Sequence, residues 1–169
     1  MATGAVALQS RSCYSRRIGH PPRIPVWLLL EKEVVYFLTL CVKDRRAVLA
    51  NETAVAALRT AVARLEHWWV YAAILMPDHV HVLAAPDDRE AAVGNLSGAL
   101  KWWMRMEVCR ASAPLAQWEW QPGSFDRLLR SEESAQAKWE YMRENPVRAG
   151  LVRQWEDWPY SIGFRERQL

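Results

Sequence analysis

Two strand-like segments separated by a proline turn constrain the fold more than any other feature of this chain. Residues 68–76 and 79–84 are rich in β-branched and aromatic side chains, and Pro77 and Asp78 between them supply turn chemistry. Two such segments in this arrangement are typical of a β-hairpin, whose strands are antiparallel. The sequence therefore predicts an antiparallel sheet with this hairpin in it.

The segment before the hairpin predicts one strand and one helix. Residues 34–42 have strand composition and end at a charged cluster, where the chain leaves the core. After Asn51, a good helix N-cap, apolar residues recur at spacings of three and four, as on one face of an amphipathic helix.

The segment after the hairpin predicts two more helices. The first covers about 89–110, although Gly94 and Gly98 weaken its first half, and a loop is expected over 111–124. The second covers 132–144, with Ser131 as its cap and Asn145-Pro146 as its end. The order strand, helix, strand, strand, helix indicates an α+β fold with helices over one face of the sheet, close to a ferredoxin-like arrangement.

Composition limits the chain to one domain and argues against a membrane protein. The 169 residues are 51% hydrophobic and 24% charged, enough for one core. The longest uncharged apolar run, residues 24–30, contains Pro25 and is far shorter than a bilayer span. Three scattered cysteines form no Cys-x-x-Cys pair, which favours a reduced cytoplasmic compartment.

Positive charge is concentrated at the N-terminus. The first 30 residues contain four arginines and no acidic residue, among them Arg16, Arg17 and Arg23, whereas the whole chain has a formal charge of only +3. A cationic segment attached to a near-neutral body suits a phosphate-backbone partner, although it also suits a solubilising tail. We therefore divide the chain into a basic arm, residues 1–25, and a single domain, residues 26–169.

The pair His79 and His81 is the sharpest chemical signal. In a strand the two imidazoles point to one face, while Val80 and Val82 point to the other, toward the core. Two imidazoles on one face form half of a divalent-metal site, and the competing interpretation is a pair of surface histidines. A histidine-triad hydrolase would need a third histidine at position 83, where this chain has Leu83.

The last predicted helix carries the second signal. Its apolar stripe contains Trp139 and Met142, and a neighbouring polar stripe contains Lys138, Tyr141 and Asn145. Tyr141 and Asn145 are one helical turn apart. By itself this pattern is also that of an ordinary tyrosine packed at the edge of a core.

Together the two segments resemble a known family. The motif Met-Pro-Asp-His-Val-His-Val-Leu at 76–83, followed by Tyr-x-x-x-Asn-Pro-Val-Arg-Ala-Gly-Leu-Val at 141–152, closely resembles the REP-associated tyrosine transposases. These are single-tyrosine members of the HUH (His-hydrophobe-His) endonuclease superfamily. The resemblance extends from about Arg16 to Ser161. Where many members have Asn and His, this chain has Asp78 and Arg127.

The resemblance implies a function and a set of site residues. Tyr141 would be the nucleophile, His79 and His81 would bind Mg²⁺ or Mn²⁺, and Asn145 would be a third metal ligand. The substrate would be single-stranded DNA beside a REP-like hairpin, cut and rejoined through a 5′-phosphotyrosine. The expected DNA-binding residues are Arg16, Arg17, Arg23, Arg127, Lys138 and Arg148.

Alternatives remain open from the sequence. A domesticated protein of the same fold would bind DNA without cutting it, and an RNA-binding ferredoxin-like module would need exposed aromatic residues on its strand faces. The family resemblance implies a cytoplasmic protein that associates with the nucleoid through DNA. Insertion-sequence relatives of the family act as dimers, whereas the resembled family can be self-sufficient as a monomer, and no residue pattern in this chain decides between monomer and homodimer.

Overall fold

The predicted hairpin forms the centre of a five-stranded sheet. In the computed structural model, which describes residues 34–87, 91–111, 117–129 and 134–167, strands β2 (Trp68–Leu75) and β3 (His79–Pro86) pair antiparallel across the Pro77-Asp78 turn. The strand order is β4-β1-β3-β2-β5, and every neighbouring pair is antiparallel. The α+β prediction is confirmed.

The other elements surround this hairpin in chain order. They are β1 (Tyr36–Cys41), α1 (Glu52–Ala63), α2 (Val93–Ala111), β4 (Phe125–Leu128), α3 (Ala135–Arg143), α4 (Asn145–Arg148) and β5 (Ser161–Ile162). Among the described helices, none is long and apolar enough to cross a membrane.

One face of the sheet is covered by α1 and α2. Alternate residues of β1 and β3, among them Leu38, Leu40, Val80 and Val82, are fully buried beneath these helices. The predicted cap of α1 is confirmed, because the side chain of Asn51 accepts a hydrogen bond from the backbone N–H of Ala54.

The opposite face is covered by α3, so the prediction that all helices pack over one face was wrong. Trp139 and Met142 of α3 are buried against Leu83 and Ile74 of the sheet. Periodicity and caps indicate which segments are helical, but they do not say which face of the sheet each helix covers. The consequence is that α3 lies on the side to which His79 and His81 point.

Two short strands, the cap of α3 and the start of α4 differ from the sequence prediction. The short strands β4 and β5 were not predicted, since four and two residues give no measurable alternation. The cap of α3 is Ser134, whose hydroxyl accepts from the N–H of Ala137, rather than Ser131, which lies outside the described residues. As predicted, α3 ends just before Asn145-Pro146, at Arg143, but a separate short helix, α4, begins at Asn145, because proline is tolerated in the first helical turn.

The predicted basic arm lies outside the described residues. Arg16, Arg17 and Arg23, together with the proposed boundary at residue 25, belong to this part of the chain. Their expected contacts with DNA therefore stay a prediction.

The attachment of α3 to the sheet can be tested by removing Met142. Its side chain is fully buried, so Met142→Ala should lower the free energy of unfolding by about 2–5 kcal/mol through lost burial and a residual cavity. The matched change Glu140→Ala, on the exposed side of the same helix, should cost no more than about 0.5 kcal/mol. Urea unfolding followed by circular dichroism measures both, and equal costs would contradict this packing.

Candidate active site

The two histidines lie at the start of β3 with their rings together. Val80 and Val82 are fully buried on the opposite face, as the alternation predicted. The Nε2 atoms of His79 and His81 are 3.1 Å apart, and the two ring centroids are 4.6 Å apart. The predicted pair therefore presents two nitrogen atoms at one point.

Each histidine is oriented through its other ring nitrogen. Nδ1 of His79 lies 2.6 Å from Oδ1 of Asp78, and Nδ1 of His81 lies 2.8 Å from Oγ1 of Thr39. Oδ2 of Asp78 in turn lies 2.7 Å from Nε of Arg45. Asp78, whose orientation the sequence left open, thus contacts the far side of His79 and fixes its ring.

Burial keeps both imidazoles uncharged. Desolvation is the largest cause that lowers the pKa of His79, opposed by its hydrogen bond to Asp78. Burial lowers the pKa of His81 to about 3, helped by the neighbouring His79 ring and by the positive charges of Lys138, Arg45 and Arg148. At neutral pH the pair therefore offers lone pairs rather than positive charge.

The arrangement fits a divalent cation. Two neighbouring ligands of an octahedral ion at about 2.1 Å are roughly 3.0 Å apart, close to the observed Nε2 separation. A carboxylate on Nδ1 is the usual outer partner of a metal-binding histidine. The described residues contain no group of three His, Cys, Asp or Glu side chains suited to a metal, so a third ligand from this part of the chain would be of another type.

Asn145 supplies an oxygen near the tyrosine, but that oxygen has a partner. Its Oδ1 accepts a hydrogen bond from Nη2 of Arg148, and the same nitrogen donates to the backbone carbonyl of Tyr141 over 2.9 Å. Asn145 is also the first residue of α4, just beyond the helix that carries Tyr141. The structure therefore joins Asn145 to Tyr141 through Arg148.

Tyr141 lies among cations on the same side of the sheet. Its side chain is 57% exposed, with Nζ of Lys138 4.7 Å and Cζ of Arg148 4.3 Å from the ring centroid. Nζ of Lys138 is also 4.4 Å from the ring centroid of Phe37, and the Phe37 ring stacks on His81 with centroids 5.0 Å apart. A continuous series of contacts thus links the histidine pair to the tyrosine within one chain.

Arg127 lies on the same face but at the sheet edge. It is exposed in β4 and is the register partner of Phe37, and opposed residues of antiparallel strands point to the same face. Seven of the ten site residues predicted from the sequence are described by the structure. It brings together His79, His81, Lys138, Tyr141, Asn145 and Arg148, and places Arg127 beside them.

Three contributors were missed from the sequence. Thr39 and Phe37 lie in β1 and contact His81 only because of strand register, and Arg45 reaches Asp78 from the turn after β1. The available signal was the alternation of Phe37 and Thr39 in a predicted strand, which places them on one face but does not say against which neighbour. Register across strands is not a local property of the sequence.

Comparison with known proteins supports the motif assignment. No protein-family model matches the chain. A REP-associated tyrosine transposase of Escherichia coli K12 is 23% identical over 134 residues, covering 78% of this chain and 77% of that protein. A protein of Haemophilus influenzae assigned the same family name is 25% identical over 143 residues, covering 78% and 81%.

A solved structure shows the same fold. The structure of a REP-associated tyrosine transposase bound to a REP hairpin matches with a TM-score of 0.59 at 21% identity, covering 77% of this chain and 76% of that one. The chain therefore shares the fold of that protein. In its two motifs, in two curated relatives and in its fold, the chain is thus similar to the REP-associated tyrosine transposases, the family that its sequence resembles.

The neutrality of the histidine pair predicts acid sensitivity of the metal-free fold. An imidazole in the unfolded chain has a pKa of about 6.5, whereas in the folded chain the pKa of His81 is about 3. As the pH falls below about 6.5 the unfolded chain binds protons that the folded chain does not, so stability is lost between these two values. Urea unfolding at decreasing pH, with a chelator present, measures this loss.

The control for this experiment removes the titrating group. His81→Gln should lose less stability than the wild type over the same pH interval, because glutamine takes up no proton. Parallel curves for the two proteins would contradict the assignment of acid sensitivity to His81.

Proposed function

We propose that this chain is a metal-dependent endonuclease and strand transferase for single-stranded DNA, using Tyr141 as its nucleophile. The observation that supports it best is the series of contacts from His81 through Phe37 and Lys138 to Tyr141. It brings a phenol and a candidate metal site to one face of one sheet.

His79 and His81 would hold Mg²⁺ or Mn²⁺, with the side-chain oxygen of Asn145 as a third ligand. When bound, such a cation withdraws charge from the phosphate oxygens and makes the phosphorus more reactive. The chain prepares the two imidazoles for this task by keeping them neutral and by orienting them through Asp78 and Thr39.

The reaction transfers a phosphoryl group from DNA to tyrosine. The Oη atom of Tyr141 forms a bond to the scissile phosphorus while the bond from phosphorus to the 3′ oxygen breaks. The products are a 5′-phosphotyrosine and a 3′-hydroxyl, so the phenolic proton is balanced by the proton on the departing oxygen. No water enters the product, which lets a 3′-hydroxyl reverse the step and join strands.

Lys138 and Arg148 would bind the negatively charged phosphate of the substrate. Both lie over the ring of Tyr141, where a phosphate approaching the hydroxyl would meet them. Positive charges at the point of attack stabilise the charge that develops on the phosphate oxygens. Arg127 at the sheet edge, with Arg16, Arg17 and Arg23 of the arm, would grip the backbone further away.

The substrate we propose is a single strand beside a REP-like hairpin. This extends to the present chain what the matching solved structure holds, a REP hairpin. Since α3 packs on the sheet of its own chain, one protomer contains the histidine pair and the tyrosine together. We therefore propose that a monomer has a complete site and that a homodimer is not required for cleavage.

Removing the phenolic oxygen tests the nucleophile. Wild-type protein incubated with Mn²⁺ and a labelled hairpin with single-stranded flanks should give a protein-DNA adduct that survives SDS, seen as a band shift on a denaturing gel. Tyr141→Phe should give none but bind the same DNA, because only the Oη atom is lost.

The control is Tyr160→Phe, which removes a phenolic oxygen from a partly buried tyrosine outside the contact series and should leave the adduct intact. An adduct from Tyr141→Phe would overturn the assigned nucleophile. A wild-type protein that binds the hairpin and never forms an adduct would favour a domesticated DNA-binding protein.

Asp78, which contacts the ring nitrogen of His79 on the side away from His81, should influence the affinity of the site for metal. Asp78→Ala removes the carboxylate that fixes the ring and should weaken Mn²⁺ binding about 10- to 100-fold. Asp126→Ala, on the exposed edge strand β4, should leave it unchanged. Isothermal titration with Mn²⁺ measures both, and unchanged affinity in Asp78→Ala would contradict a metal site at this pair.

A further inference from the structure

One aromatic side chain near the site has no role in the mechanism above. Phe125 lies in β4 and is 67% exposed, although phenylalanine in a sheet normally packs against a neighbour. A single exposed apolar residue needs no explanation by itself. What distinguishes Phe125 is its position in the sheet, in a row of directly opposed residues that runs across neighbouring strands.

Strand register places Phe125 in the row of His81. Phe125 pairs with Thr39 of β1, and Thr39 pairs with His81 of β3. Opposed residues in antiparallel strands point to the same face, so Phe125, Thr39 and His81 share one face. Two strand spacings separate Phe125 from His81, which amounts to about 10 Å.

Cationic side chains flank this row on the same face. Arg127, two residues after Phe125, points to the same side and is exposed, while Lys138 lies over Phe37 in the adjacent row. An exposed aromatic ring next to positive charges is the combination by which proteins bind single strands, the ring stacking on a base and the cations meeting phosphates.

We propose that Phe125 is a stacking platform for an unpaired base of the DNA strand that leads into the site. This rests on the proposed function, because it assumes that a single strand crosses the face which carries His81. Stacking tolerates every base, so Phe125 contributes affinity and placement of the strand rather than recognition of sequence.

The test measures binding without cleavage. Hairpin oligonucleotides carry 2-aminopurine at successive positions of their single-stranded flanks, and a chelator prevents the reaction. We expect fluorescence quenching at one flank position with the wild type and none with Phe125→Ala, whose Kd should rise about 5- to 150-fold by fluorescence anisotropy. Phe125→Trp should restore both signals.

Matched controls separate stacking from general loss of apolar surface. Trp102→Ala removes an equally exposed aromatic ring, 62% accessible, from α2 on the other side of the sheet, and should leave Kd and quenching unchanged. An abasic nucleotide at the quenched position should weaken binding to the wild type but not weaken binding to Phe125→Ala any further.

The outcomes distinguish this inference from the proposed function. Unchanged Kd and quenching in Phe125→Ala would overturn the platform, even where the wild type forms its tyrosine adduct. If Phe125→Ala loses the quenching and the wild type never forms a tyrosine adduct, the result would support the platform and count against cleavage. Phe125-dependent binding that is tighter for RNA of the same sequence would overturn the assignment to DNA.

Discussion

The pairing of β1 with β3 is the constraint on which the candidate site depends. It sets Thr39 opposite His81 and Cys41 opposite His79, and a backbone bond from Val42 to the carbonyl of Asp78 fixes the turn that precedes the pair. A shift of one residue would turn both histidines into the core and both valines outward. The fully buried Val80 and Val82 oppose that shift, so the core specifies the position of the imidazoles.

This dependence explains why the site joins parts of the chain that are distant in sequence. The sheet supplies the histidine pair and its outer partners, and α3 supplies the tyrosine, held by Trp139 and Met142 on the same face. Arg45 belongs to a turn in which both it and Asp44 have positive φ, 53° and 56°, an uncommon conformation for residues other than glycine. The left-handed turn directs the arginine back to Asp78, so its conformational cost is offset at the site.

Local patterns in the sequence predicted what local rules control. Alternation placed His79 and His81 on one face, turn chemistry gave the hairpin, and Asn51 was identified as a helix cap. Contacts between distant segments could not be predicted from such local patterns. These contacts are Thr39 against His81, Arg45 against Asp78, and Phe37 between His81 and Lys138. The four residues of β4, which include Asp126 and Arg127, are too few and too polar to show a strand pattern in the sequence. They form a strand because they pair with β1.

Arg148 is the residue whose environment the sequence described least well, since a basic side chain near a helix end suggested only a phosphate contact. In the structure Arg148 donates a hydrogen bond to the backbone carbonyl of Tyr141, which lies in the last turn of α3, just before α4 begins. The same guanidinium also donates to the side-chain oxygen of Asn145. One guanidinium thus caps a helix, covers an aromatic ring and occupies an amide oxygen. Any anion that draws Arg148 away changes all three at once, so under the proposed function a phosphate that binds Arg148 would also rearrange the surroundings of Tyr141 and Asn145 in the same event.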